Sequence, residues 1–171
     1  MDYNSPDELL AVVDADDNES GAQPRSLIHA QGLLHRAVHV LVFDPHERLI
    51  IQQRSILKDT FPLHWECVGG HLSPGEGYQQ AAVREVQEEL GVTPHDLSFL
   101  CKIPASETTG LEFVEVFRSV TNEQPMPEPS EIIAIEHISL EQLFDEIRNN
   151  GRLFSPVFIN TLHWAGLLKD S

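Results

Sequence analysis

Three glutamates lie close together between Gly77 and Gly91, at positions 85, 88 and 89. Successive residues of a helix turn by about 100°, so Glu89 would lie within about 40° of Glu85, and Glu88 about 60° from Glu85 on the other side. The three carboxylates would then share one face. Carboxylate oxygens are ligands that Mg²⁺ and Mn²⁺ prefer. The spacing is therefore typical of either a solvated acidic surface or a site for a hard divalent cation.

An amphipathic helix must hold these glutamates. Ala82, Val86 and Leu90 recur every four residues with acidic positions between them, which predicts a helix that ends at the glycine after Leu90. This apolar stripe faces the core and so fixes the direction of the carboxylates. Arg84 can pair with Glu88 one turn along, which relieves part of the repulsion between like charges.

The remaining elements are predicted to be mainly strands. Two β-rich runs, 38–43 and 49–53, flank a turn signal at 44–47 and predict a hairpin. The acidic stretch 14–21 is rich in turn residues and predicts a loop. Further strands are predicted at 9–13, 97–103, 113–120 and 132–138.

Two helices are predicted near the C-terminus. One begins after Ser139, where Gln142 three residues on gives a capping-box pattern, and the other runs from about Pro156 to Leu168. Strands on both sides of a long helix, with further helices late in the chain, predict an α/β layered domain. The 171 residues fit one such domain, 1–171, with residues 1–7 as a flexible N-terminal tail.

The charge of the chain limits its partners. The formal net charge is −16 at pH 7, so the surface repels nucleic acid and anionic membranes. Cys67 and Cys101 have no metal or disulfide spacing and are predicted to be reduced thiols. No apolar run approaches the ~18 residues of a membrane span, and the N-terminus lacks a signal sequence, so we expect a cytoplasmic protein.

Residues 70–92 combine the glutamates with glycines and an arginine at fixed spacing. The pattern consists of Gly70, Glu76, Arg84, Glu85, Val86, Glu88, Glu89, Gly91 and Val92. Seven of these are single specified residue types, and at average usage a chance match at one start point is roughly 10⁻⁸. The pattern is similar to the Nudix box, so the chain resembles the Nudix hydrolases.

The resemblance implies an α/β fold of the α+β type, with a mixed β-sheet sandwiched between α-helices. In that family the box glutamates bind divalent metal ions, which assigns Glu85, Glu88 and Glu89 to Mg²⁺ or Mn²⁺. The backbone carbonyl just before the box, here that of Gly69, often joins them. We place Glu85, Glu88 and Arg84 in the catalytic set, with the arginine orienting a glutamate.

The other box residues have supporting roles in the family. Glu76 ties the loop to the helix, whereas Gly70 and Gly91 allow tight turns. The implied reaction is metal-assisted attack of water on a diphosphate bond of a small organic molecule. A homodimer is compatible with the resemblance, since dimers are common among similar proteins.

Similarity beyond the box, over about residues 8–165, is to the isopentenyl diphosphate isomerase-like branch. It rests on short matches: His35-Arg36-Ala37-Val38, Gln53-Arg54-Ser55, Lys58, Phe61-Pro62, Trp65, Gly70-His71 and Phe154-Ser155-Pro156. Arg54 and Lys58 are candidates for binding the diphosphate, because they are cations near the box in a chain with few cations. The alternative is that both are ordinary surface charges.

The isomerases use a cysteine immediately before the Gly-His pair, and that position is Gly69 here. The missing cysteine argues against isomerase chemistry, and the complete box argues for hydrolysis. Cys67, two residues earlier, is expected on the same strand face but not at the matching place. The later isomerase glutamate aligns weakly with Glu112.

Three histidines resemble the metal ligands of the isomerases, namely His29, His35 and His71. We leave them out of the metal set, because the spacing of His29 is off by one and single histidines are more often structural. Glu131 matches the position of a further acid in related hydrolases, and Glu112 and Glu115 compete for that role.

The function predicted first is that of a diphosphate hydrolase. An isomerase-like enzyme acting on prenyl diphosphates and a sensor that binds a diphosphate without turnover are the alternatives. The sequence does not select one substrate among nucleoside diphosphates and triphosphates, nucleotide sugars, dinucleotides and prenyl diphosphates.

Overall fold

The structure, a computed structural model, describes residues 5–169. The strands of this part of the chain are β1 (Leu9–Val13), β2 (Glu19–Pro24), β3 (His35–Phe43), β4 (Leu49–Arg54), β5 (Trp65–Glu66), β6 (Val68–His71), β7 (His95–Ile103), β8 (Glu112–Val120) and β9 (Ile132–Ile138). The helices are α1 (Arg25–Gln31), α2 (Tyr78–Leu90), α3 (Leu140–Arg148) and α4 (Pro156–Trp164).

Strand β3 organises the sheet. It pairs in parallel with β8 along its whole length and antiparallel with β6, while β7 extends the sheet beyond β8. The predicted hairpin of β3 and β4 is joined only at Phe43 and Leu49, because β4 pairs with β9 and β5 instead. The two strands therefore diverge after their first residue pair, and both contribute residues to the wall of a cavity.

Apolar side chains of β3 alternate between two cores. Val38, Val40 and Val42 pack with helix α2 on one face of the sheet, whereas Leu41 and Phe43 pack with α3 and α4 on the other. Successive side chains of a strand point to opposite faces, so a strand between two layers of helices contributes alternate residues to each core. The mixed sheet thus lies between helices, and the predicted α+β fold class is confirmed.

Several local predictions need correction. Residues 19–24, partly assigned to a loop, form β2, an edge strand that pairs with β1. Most of its side chains are exposed, so its sequence lacks the apolar alternation that predicts a strand. Helix α1 and the short strand β5 were not predicted, whereas the strand assumed at Gly69 is β6, although Cys67 lies just before it rather than on its face. Helix α4 ends at Trp164 rather than Leu168, and Gly166 shortly after it has a positive φ of 72°.

The predicted capping box of helix α3 forms in one half. The Ser139 hydroxyl accepts a hydrogen bond from the Gln142 backbone N–H at 3.2 Å, but the Gln142 side chain donates to Glu146. Residues 1–4 of the expected N-terminal tail lie outside the described residues, and the carbonyl of Pro6 accepts a hydrogen bond from the backbone N–H of Ser26. Within residues 5–169 no helix is long and apolar enough to cross a membrane.

Candidate active site

A cavity of about 970 Å³ opens beside helix α2 and strand β6. Its lining includes seven of the eight predicted site residues, namely Arg54, Lys58, Gly69, Glu85, Glu88, Glu89 and Glu131. The eighth, Arg84, is not part of the lining. The fold therefore brings together residues from four separate stretches of the sequence around one space.

Gly70 is required by the close approach of a glutamate. A Cβ atom on this residue would lie 2.0 Å from Oε1 of Glu85, so the carboxylate occupies the space of a side chain. Gly70 lies in strand β6 and does not have a positive φ, so the expected tight turn is wrong for this residue. Gly91 does end helix α2 in the left-handed conformation, with φ of 67°.

Arg84 lies behind the glutamates and holds them in position. Its guanidinium donates to Glu85 at 2.7 Å and to Glu88 at 3.1 Å, the pairing expected from the sequence. It also donates to both carboxylate oxygens of Glu76, at 2.7 and 2.9 Å, and to the carbonyl of His71. Glu76 in turn accepts from the backbone N–H of Ser73, so it connects the loop to the helix. With its donors engaged in this way, Arg84 orients the site from outside the cavity.

Glu89 reaches from helix α2 to the sheet. Its carboxylate accepts a hydrogen bond from the backbone N–H of Gly69 at 3.0 Å and another from the side chain of Gln52. Gln52 is 1% exposed, and its Oε1 is the one buried side-chain N or O atom among the described residues that has no hydrogen-bond partner. The Glu89 carboxylate therefore has two hydrogen-bond donors, and one of them belongs to a side chain whose own oxygen lacks a donor.

Burial disfavours the ionised form of all three box carboxylates. Burial raises the pKa of Glu85 to about 8, although Arg84 opposes the shift. Burial, together with the charges of Glu85 and Glu66, raises the pKa of Glu89 well above its usual range. Burial also raises the pKa of Glu88. Buried carboxylates whose ionised form is disfavoured fit a hard divalent ion, whose charge would favour ionisation.

The two predicted diphosphate-binding cations are held by acids and hydroxyl groups. Arg54 donates to Glu66 at 2.7 Å and to the carbonyl and hydroxyl oxygens of Thr60 at 2.9 and 3.2 Å. Lys58 forms an ion pair with Glu131, a second predicted site residue. Both cations therefore have fixed positions on the cavity wall, and a bound diphosphate would share them with these partners.

The acids weighed against Glu131 are placed differently. Glu115 lies 3.8 Å from Lys102 and is not in the cavity lining. Glu112 lines the cavity, where its Oε1 lies 3.2 Å from Nε2 of His35 and 2.7 Å from Nε2 of His71. Burial disfavours ionisation of Glu112, but the two histidines hold its pKa well below the usual range.

The histidines that we had set aside form a compact cluster. The ligand atoms of His29, His35 and His71 all lie within 4.8 Å of one another, close enough to hold a metal ion. Sequence spacing could not show this, because helix α1 and strands β3 and β6 supply one histidine each. The sequence could indicate this cluster only through the type of the residues, since histidine is a common metal ligand, and not through their spacing.

The ring of His35 has the orientation of a ligand. Its Nδ1 lies 2.9 Å from the carbonyl oxygen of Leu33, which can only accept, so Nδ1 carries the hydrogen. With the hydrogen on Nδ1, the Nε2 atom presents its lone pair toward the carboxylate of Glu112, which is also an acceptor. A histidine whose Nδ1 donates to a backbone carbonyl is a common arrangement around metal ions.

The segment that leads into the box provides no reactive thiol. Gly69 stands where the isomerases have their cysteine. Cys67 is buried just before strand β6, and burial raises the pKa of its thiol well above the usual range. Across the ladder from Gly69 lies His39, whose pKa burial lowers to about 4, so this imidazole is neutral near pH 7.

A family model for the NUDIX domain matches residues 33–158, which is most of the chain. The chain belongs to the Nudix family. Among Nudix relatives, the isopentenyl-diphosphate Delta-isomerase of Serratia proteamaculans is 32% identical over 167 residues, covering 94% of this chain and 92% of that protein. An uncharacterized Nudix hydrolase of Streptomyces coelicolor is 41% identical over 91 residues, covering 53% of this chain and 50% of that protein.

Solved structures agree with this family. The crystal structure of DR0079 from Deinococcus radiodurans has a TM-score of 0.77 and 25% identity, covering 92% of this chain and 99% of that chain. The NUDIX domain of NrtR from Shewanella oneidensis, solved with ADP ribose, has a TM-score of 0.61 at 16% identity, covering 78% and 86%, and shows the shared fold. The relatives place this Nudix chain on the isomerase-like branch.

Proposed function

We propose that this Nudix protein hydrolyses a diphosphate bond in a small organic diphosphate, using Mg²⁺ or Mn²⁺. One observation carries the proposal. Buried carboxylates with raised pKa values and two cations, Arg54 and Lys58, line the same cavity of about 970 Å³. A divalent ion would stabilise the ionised form of these buried carboxylates, and the cations on the same cavity wall suit the diphosphate that would share it.

Each residue has a defined part in this proposal. Glu85, Glu88 and Glu89, with the carbonyl of Gly69, would hold the ion, and Arg84 keeps the first two carboxylates oriented. When bound, the ion would neutralise the diphosphate and lower the pKa of the attacking water.

Three further residues act around this centre. Arg54 and Lys58 bind the phosphate oxygens, and a proton from the water passes to a box glutamate or to Glu131. Glu131 already lies against Lys58, so substrate that binds the lysine also meets this acid. This placement supports Glu131 as the acid contributed from outside the box.

An isomerase-like activity is the second candidate, and the cluster of His29, His35, His71 and Glu112 favours it. Relatives named isopentenyl-diphosphate isomerase point the same way. Against it stands Gly69, which offers no thiol at the position before the Gly-His pair. Hydrolysis needs no thiol from the protein, since a bound divalent ion would activate the attacking water, and it is therefore the function we propose.

The test is product analysis on a panel of diphosphates. Nucleoside diphosphates and triphosphates, nucleotide sugars, dinucleotides and isopentenyl diphosphate are incubated with Mg²⁺, with Mn²⁺ and with chelator. The controls are Glu89→Gln in the cavity and Glu141→Gln on the exposed first turn of α3. Metal-dependent release of phosphate or of a monophosphate, lost in Glu89→Gln and kept in Glu141→Gln, supports hydrolysis.

Other products would contradict the proposal. An isomerised diphosphate, with no phosphate released, would favour the isomerase candidate. Tight Mg²⁺-dependent binding of one compound without any turnover would instead indicate a sensor. Unchanged KM in Arg54→Ala would remove that residue from the diphosphate site while leaving the hydrolysis itself in place.

A further inference from the structure

The space beside Gly69 is already filled by the ring of His39. A Cβ atom on residue 69 would lie 2.7 Å from Cδ2 of His39 and 3.1 Å from the carbonyl oxygen of Val38. The ring cannot easily move away, because its Nδ1 is tied to the hydroxyl of Thr161 on helix α4 at 2.7 Å. A side chain at position 69 would therefore clash with a fixed imidazole.

The hydroxyl of Thr161 determines which nitrogen of His39 carries the hydrogen. That hydroxyl has one hydrogen, and it lies 3.0 Å from the carbonyl oxygen of Val157, which can only accept. The hydroxyl thus donates to Val157 and accepts from Nδ1 of His39. The Nε2 atom then has a lone pair, and within residues 5–169 no group donates to it.

His39 lines the same cavity as the box glutamates. Its Nε2 would lie 3.4 Å from a Cβ atom on Gly69, so this lone pair sits beside the residue whose carbonyl we assign to the metal site. A substrate diphosphate bound to that site would bring its organic group close to the ring. An acceptor without a donor, held rigidly in a cavity wall, favours a ligand that carries an O–H or N–H group.

We propose that His39 is a specificity-determining residue: its imidazole takes the space of a side chain at position 69 and offers Nε2 as a hydrogen-bond acceptor to the organic group of the substrate. The substrate class is then a diphosphate whose organic group bears a hydroxyl or N–H donor, such as a sugar or ribose. A prenyl chain has no such donor. The inference rests on the proposed function for the presence of a diphosphate, whereas the steric part does not depend on it.

The steric part is tested by a double-mutant cycle on stability, without any ligand. Gly69→Ala should lower the midpoint of thermal unfolding by about 2–10 °C, since overpacking strains a well-packed site. In a His39→Ala background the same change should lower it by less than about 2 °C. Equal losses in both backgrounds, or none in either, would overturn the assignment. If Gly69→Ala alone does not fold, recovery of folding in the double variant gives the same answer.

The recognition part is tested by calorimetric binding in Mg²⁺ on a Glu131→Gln background, which removes a proposed proton acceptor and so slows turnover while it keeps the proposed metal ligands in place. The probes are ADP-ribose, isopentenyl diphosphate and inorganic diphosphate. Adding His39→Phe, which keeps a ring but loses Nε2, should weaken ADP-ribose binding about 10- to 100-fold, as loss of a hydrogen bond of this kind would. The other two probes should change less than about threefold, and His46→Phe in the exposed β3–β4 turn should change none.

Equal weakening of all three probes, or unchanged ADP-ribose binding, would overturn the recognition role. If none of the three probes binds before His39 is changed, the recognition role fails and so does the proposed function. The stability cycle is still informative in that case, because it uses no ligand. Failure of the inference and failure of the proposed function are thus distinguishable.

Discussion

Glu85 and Glu89 on helix α2 and Glu112 on strand β8 face one cavity, yet their pKa values move in opposite directions. Burial raises the pKa values of the two box glutamates. Glu112 is also withdrawn from solvent, but His71 and His35 lie against its carboxylate and lower its pKa. The opposite pKa shifts therefore come from the groups that surround each glutamate, because the side chains themselves are of the same type.

The contrast shows which carboxylates have histidine nitrogens beside them and which do not. Nε2 of His35 and Nε2 of His71 each contact the carboxylate of Glu112, so this acid has its partners within the protein. On the opposite side, Arg84 reaches Glu85 and Glu88 but not Glu89, whose hydrogen bonds come from an amide side chain and a backbone N–H. We define the box wall as Glu85, Glu88 and Glu89, and we expect an external cation to bind at this part of the cavity.

The largest expected effect is the loss of activity in Glu85→Gln. The amide cannot carry the negative charge that holds a divalent ion, and we expect kcat/KM for metal-dependent diphosphate hydrolysis to fall about 100- to 1,000-fold or more. Steady-state kinetics on the substrate found with the panel measures the effect. Glu107→Gln, at a neighbouring part of the cavity, is the matched control. Near-normal activity in Glu85→Gln would show that the box wall does not hold the ion.

The next effect is on folding stability in Arg84→Gln. This change leaves the acids Glu76 and Glu85 without their cation, and we expect a loss of about 2–4 kcal/mol in the free energy of unfolding by urea. The control is Arg148→Gln, which breaks a surface pair with Asp145 and should change stability by less than about 0.5 kcal/mol. Similar losses in the two variants would mean that Arg84 is an ordinary surface charge.

Mg²⁺ should stabilise the folded protein through the box wall. At a free concentration 100 times its Kd, an ion that binds only the folded state adds about 2.7 kcal/mol to stability. We expect this gain in urea unfolding with Mg²⁺ against chelator, and its loss in Glu85→Gln. His71→Ala should keep the gain. The reverse pattern, with the gain lost only in His71→Ala, would place the ion at the histidines.

The smallest effect is the dependence of stability on pH in chelator. Glu85 has a raised pKa in the folded state, so its contribution is complete below pH 4.5 and is lost as pH rises through about 8. Glu112 has a lowered pKa, so its contribution is present above pH 4.5 and is lost as pH falls below that value. Each slope is at most about 1.4 kcal/mol per pH unit for one proton.

Urea unfolding between pH 3 and pH 9 separates these two contributions. Glu85→Gln should flatten the loss on the alkaline side, and Glu112→Gln should flatten the loss on the acidic side. If both variants flatten the same limb, the two acids do not differ in the way that their neighbours indicate. Asp145→Asn, an exposed acid of helix α3, serves as the control and should leave both limbs in place.

Local patterns predicted much of the fold, since periods of two and of about four residues depend only on neighbours in the chain. The strands containing Val38 and Ile132, and the helix that ends at Gly91, follow such patterns closely. The edge strand β2 was not predicted, because its exposed residues show no alternation of apolar and polar types. The divergence of β3 from β4 was not predicted either, because it depends on the pairing of β4 with the distant strand β9.

The sequence by itself determined the family, the acids of helix α2 and the absence of a cysteine at Gly69, because these are properties of residue type and short spacing. Only the tertiary structure decided that three histidines meet and that two of them contact Glu112, since α1, β3 and β6 must first come together. The same holds for Glu85 against Gly70 and for the ring of His39 over Gly69. Contacts between distant residues depend on strand pairing and packing, which no local pattern encodes.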